Sequence, residues 1–78
     1  MRKYTVIYER GARNWSAYAP DLPGCVAAGR TRAITERRMR EAIELHIEAL
    51  LEQGEEVPVA TTEAGTVSIS AGSGFTHG

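Results

Sequence analysis

Pro20-Asp21-Leu22-Pro23-Gly24-Cys25 is the stretch on which the reading of this chain turns. Pro20 and Pro23 fix φ and remove two backbone donors, so the segment lies outside any central strand. Each proline also pushes its predecessor, Ala19 and then Leu22, toward extended geometry. Gly24 supplies the positive φ that a turn after Pro23 requires. Asp21 is placed to accept bonds from nearby backbone N–H groups, as in an Asx-turn. The six residues form a rigid corner between two extended segments.

On the N-terminal side of the corner, Lys3 to Glu9 reads as a strand, with Tyr4, Val6 and Tyr8 on one face and Thr5, Ile7 and Glu9 on the other. Arg10 to Asn14 makes a hairpin loop of ordinary length, and Trp15 to Ala19 returns as a second strand. Both faces of this hairpin carry large apolar groups. Either a second subunit covers the face a helix leaves bare, or the tyrosines stand exposed. Beyond the corner, Cys25 to Gly29 is a short third strand, and Thr31 is an N-cap for a helix. From Arg32 to Gln53 the pattern is helical, with Met39, Ala42, Ile43, Ile47, Leu50 and Leu51 in one stripe. Gly54 ends that helix and Pro58 prevents an early restart. Thr66 to Ser70 alternates cleanly and predicts a fourth strand, before the Gly/Ser-rich tail Ala71 to Gly78. The expected architecture is α+β, in the order β-β-β-α-β, an antiparallel-rich sheet with one helix on one face. Residues 1–70 are the domain and residues 71–78 a flexible tail.

The chain has 78 residues and a net charge of −1, enough for one small domain. A domain of this size buries only roughly 60% of its unfolded surface. Cys25 is the sole cysteine, so no internal disulfide assists it, and a homodimer or larger assembly is expected. Near-neutral charge argues against a general nucleic-acid or membrane-surface binder. The N-terminus lacks a signal-peptide core and no apolar run reaches bilayer length, which points to a soluble, cytoplasmic protein.

Catalytic constellations are sparse. A two-metal nuclease site needs several converging carboxylates, whereas Asp21 is the lone aspartate and Glu9 the only other acid before the helix. His46 and His77 have no second ligand at metal spacing, and Cys25 has no paired base and reads as a small buried hydrophobe. No enzyme activity, cofactor or metal is expected.

The charges along the helix are less bland. Arg30, Arg32, Arg37, Arg38 and Arg40 crowd its start, and Glu41, Glu44, Glu48, Glu52, Glu55 and Glu56 come after them. This order opposes the helix dipole. Pairs such as Arg37–Glu41 and Arg40–Glu44 offset it by only about 0.2–0.5 kcal/mol each. Three readings stand. The acidic residues Glu44, Glu48, Glu52, Glu55 and Glu56 meet a basic partner; Arg37, Arg38 and Arg40 hold an anion or nucleic-acid phosphate; or the helix is a solvated surface of mixed charge.

The run Tyr18-Ala19-Pro20-Asp21-Leu22-Pro23-Gly24-Cys25, then Gly29-Arg30-Thr31, a helix holding Glu41-Ala42-Ile43, and Val57-Pro58 resemble the HicB-like antitoxin family, over roughly Lys3 to Ile69. Pro20, Asp21, Pro23, Gly24, Gly29 and Thr31 are its structural motif in this chain. The resemblance implies a partial ribonuclease H-like βββαβ fold and a role in binding and neutralising a small basic HicA-type ribonuclease toxin. Two departures are visible. Ile34 and Thr35 stand where the family usually has an acidic residue and an alanine, and only Ala71 to Gly78 stands where many members carry a DNA-binding segment. DNA binding by this chain alone is therefore not expected, and the alternative is an orphan module that uses its arginine cluster.

Overall fold

The hairpin expected upstream of the corner is present. β1 (Ile7–Arg10) pairs antiparallel with β2 (Trp15–Tyr18), Ile7 opposite Tyr18 and Arg10 opposite Trp15. β2 pairs antiparallel with β3 (Val26–Gly29), Tyr18 opposite Val26 and Trp15 opposite Gly29. The sheet order is β1-β2-β3. The computed structural model describes residues 2–70.

β1 starts at Ile7 rather than at Lys3. Continuing the register would set Thr5 against Pro20, which has no N–H to give. The Ala19 N–H turns to Cys25 O instead, at 3.2 Å. Two further turns tighten the corner, Leu22 N–H to Ala19 O and Cys25 N–H to Leu22 O, both 3.0 Å. Gly24 sits at φ 84°, the left-handed region a side chain disfavours.

α1 (Arg32–Glu52) begins where Thr31 caps it, Oγ1 accepting the Ile34 N–H at 3.1 Å. Thr35 is fully buried and satisfies its hydroxyl by donating to Thr31 O at 2.8 Å. At the other end Gly54 takes φ 72°, and the Gly54 and Glu55 N–H groups bond Leu51 O and Leu50 O. The core beneath the helix is Ala17, Ala19, Leu22, Cys25 and Met39, with Tyr4, Val6, Tyr8, Ala27, Ala42 and Ile43 packed around it. Small residues on β2 and β3 bring the helix close. An added Cβ on Gly29 would lie 2.8 Å from Ile34 Cγ2 and 2.9 Å from Thr35 Oγ1.

A helix of 21 residues is roughly 31 Å long at 1.5 Å per residue. Strands of four residues span only about 13 Å. The second half of α1 therefore overhangs the sheet. Met39 is buried and Ile47 and Leu50 are half-buried, but Leu51, expected in the same stripe, is 57% exposed.

The expected fourth strand does not form among the described residues. Residues 57–62 pass the start of β1, where the Tyr4 hydroxyl donates to Pro58 O at 2.6 Å and the Thr5 hydroxyl to Thr62 O. From there the chain leads away, leaving Val67 84% and Ile69 78% exposed. Alternation makes a segment fit for a sheet edge, but strand pairing needs that edge alongside, and here it is not. The radius of gyration, 16.5 Å, exceeds the about 11 Å of a compact chain this size for the same reason. The tail expected at residues 71–78 lies outside the described residues.

Candidate partner-binding surface

The helix sorts its charges by position. Glu44, Glu48 and Glu52 recur at four-residue spacing and so fall within about 80° of arc. All three are exposed, as are Glu55 and Glu56 just past the C-terminal end. The first three lie in the second half of α1, and none of the five makes an ion pair among the described residues. The carbonyl end of the helix adds negative potential to theirs. The five exposed acids thus lie along the C-terminal half of α1 and just past its end.

The ion pairs expected at Arg37–Glu41 and Arg40–Glu44 are not the ones formed. Glu36 takes both cations, with Arg32 at 3.8 Å and Arg40 at 3.6 Å. Glu36 precedes Arg40 by four residues, which is the favourable orientation, while Arg40–Glu44 would be the reverse. The spacing of Glu36 to both arginines was a readable signal.

The arginines do not converge. Arg38 donates to Ala28 O at 2.8 Å and so fastens the helix to β3. Arg40 is turned to Glu36, and the Arg32 guanidinium lies 4.1 Å over the Tyr8 ring. Arg30 instead joins Arg10 and Arg13 beside Trp15, around a shallow pocket of about 150 Å³ at the hairpin loop. Arg37 is exposed. Arg38 and Arg40 are thus turned to separate partners.

Asp21 acts over a longer range than an Asx-turn. Its Oδ2 accepts the Thr61 and Thr62 N–H groups at 3.0 and 2.9 Å. Its Oδ1 accepts their hydroxyls at 3.2 and 2.7 Å. These donors, the Thr62 N–H and then its hydroxyl foremost, hold the carboxyl below the usual carboxylate range. The motif aspartate is a clasp on the segment after the helix. Pro20, Pro23 and Gly24 set its position, and Gly29 and Thr31 set the helix.

Between β1 and α1 lies an open groove of about 350 Å³, lined by Tyr4, Val6, Tyr8, Met39 and Ile43, with Glu36, Arg40 and Glu44 at its rim. It exists because α1 crosses β2 and β3 and leaves the β1 side uncovered. Cys25 is buried, and burial pushes its thiol up, away from the thiolate a nucleophile needs. No group of three or more His, Cys, Asp or Glu able to hold a metal occurs among the described residues. No helix there is long and apolar enough to cross a membrane.

Known proteins resemble this chain. The model of a family described as HicB_like antitoxin of bacterial toxin-antitoxin system matches residues 4–73. An uncharacterised 14.9 kDa protein of Haemophilus phage HP1 is 38% identical over 55 residues, covering 70% of this chain and 41% of the phage protein. The chain thus spans less than half of that relative. UPF0150 protein Ta0767 of Thermoplasma acidophilum is 35% identical over 66 residues, covering 83% of this chain and 96% of the archaeal protein. A chain of the solved HicA3 and HicB3 toxin-antitoxin complex superposes with a TM-score of 0.65 at 32% identity, covering 77% of this chain and 70% of that one.

Proposed function

This chain belongs to the HicB-like antitoxin family, and from that premise we propose that it neutralises a HicA-type ribonuclease toxin by binding it directly. The observation that carries this reading is the likeness to a chain of a toxin-antitoxin complex at 32% identity and a TM-score of 0.65. The proposed contact is the acidic end of α1, Glu44, Glu48 and Glu52 with Glu55 and Glu56. Exposed, and without an ion pair among the described residues, these acids suit a basic partner, and the exposed Leu45 and Leu51 near them offer apolar area to the same contact. The chain performs no chemistry of its own in this reading. It blocks the toxin by occupying its surface.

Opposite charge across such a contact raises the encounter rate more than it tightens the complex. The test is co-expression with the neighbouring genes, then association and dissociation rates for any small basic protein recovered. Toxicity should vanish when this chain is present, and added salt should slow association while leaving dissociation nearly constant. E44K/E48K/E52K should reduce the association rate at low salt. A partner that binds this variant as fast as the parent would remove the acidic end from the interface. A neighbour whose toxicity persists beside this chain would refute the antitoxin reading.

A further inference from the structure

We propose that two copies of this chain complete each other's sheet, the arm 63–69 of each adding as a strand along the open edge of β1 in the other. Three observations meet here. β1 is an edge strand whose outer side no described residue pairs, and unpaired edges recruit strands. The groove beside it is open, lined by Tyr4 and Val6 just before β1, by Tyr8 on it and by Met39 and Ile43 from α1, with Glu36, Arg40 and Glu44 at its rim. The same chain carries a segment with strand alternation and no apolar cover, Val67 and Ile69 being 84% and 78% exposed.

The dimensions agree. Seven extended residues, 63–69, span about 23 Å, enough to run the length of β1, about 13 Å, and past the three residues before it. Alternation places Val67 and Ile69 on one side of the arm and Thr66 and Ser68 on the other. Laid on the edge, the apolar pair falls beside Tyr4, Val6 and Tyr8 over the groove, and the hydroxyls face water.

The anchoring explains why the occupant is a second copy. The Asp21 clasp and the Thr5 hydroxyl hold residues 61 and 62 beside the start of β1, and the arm then departs from its own edge. An arm that leaves beside one open edge without pairing to it can reach the equivalent edge of a two-fold mate. The exchange is reciprocal and closes at two copies, as an isologous swap does. Each sheet then has four strands, and the amphipathic fourth strand is supplied by the neighbour.

Sedimentation equilibrium of the full chain should give twice the 8.5 kDa chain mass. V67D/I69D should halve that mass at the same concentration with its helical circular dichroism unchanged, since both side chains are exposed in the single chain. In a dimer mixed from labelled and unlabelled chains, Val67 and Ile69 methyl protons should show contacts to Tyr4 and Tyr8 ring protons between chains. Any of three results overturns the proposal. They are a monomeric parent whose arm gains exchange protection only when a basic partner is added, a dimer that survives V67D/I69D, and arm-to-groove contacts confined to one chain.

Discussion

Replacing Gly29 with alanine tests whether the close approach of helix and sheet is what the Gly29-Arg30-Thr31 motif provides. The new methyl would lie 2.8 Å from Ile34 Cγ2, 2.9 Å from Thr35 Oγ1 and 3.1 Å from the Thr35 backbone nitrogen. Ile34 is half-buried and its methyl can rotate away. Thr35 cannot, because it is fully buried and its hydroxyl is bonded to Thr31 O. The first turn of α1 must therefore shift outward from β3. Overpacking of this kind costs about 1–3 kcal/mol. Reduced freedom of the unfolded chain returns about 0.4–1 kcal/mol, since Gly29 has no positive φ and alanine suits its backbone. The net loss is about 1–2 kcal/mol, or roughly 5–15 °C in Tm for a domain of this size. Gly65→Ala, where an added Cβ meets nothing within 4 Å, carries the unfolded-chain gain without the clash and should not lower Tm. Thermal unfolding monitored by far-ultraviolet circular dichroism reads both. A G29A protein melting within a degree or two of the parent would refute the argument, because the helix would then seat without the gap.

Other perturbations probe the same contacts. Leu22→Ala empties the corner's fully buried side chain and should cost about 2–5 kcal/mol in urea unfolding, with the slope of the transition unchanged. Thr31→Ala removes the cap on the Ile34 N–H and should cost about 1 kcal/mol. Its amide exchange should rise first at residues 32–35. Asp21 has a folded pKa below its unfolded one, so its clasp contributes at pH above the ordinary carboxylate range and is lost as acid protonates it. Thr61 and Thr62 amide protection should fall in acid in the parent and be independent of acid in Asp21→Asn, and equal acid sensitivity in the two would exclude the clasp.

The readable parts of this protein are its local ones. Pro20, Pro23 and Gly24 act within one turn, so the corner and its positive φ were legible without coordinates. Thr31 and Gly54 act within a few residues of themselves, and they set the bounds of α1. The acidic stripe was legible for the same reason, since helical spacing alone puts Glu44, Glu48 and Glu52 on one face.

Tertiary structure decided whatever depends on which distant groups meet. Asp21 could be marked as a hydrogen-bond acceptor, but its partners stand forty residues on, and no local pattern names Thr61 and Thr62. The arginines looked like one cluster because they are neighbours along the chain. Packing divides them, giving Arg38 to Ala28 O and Arg30 to the hairpin loop. The alternation at 66–70 identified an amphipathic segment, yet its pairing hangs on an edge being within reach. Alternation is a property of the residues themselves, while pairing is a property of where the rest of the chain, or another chain, has gone.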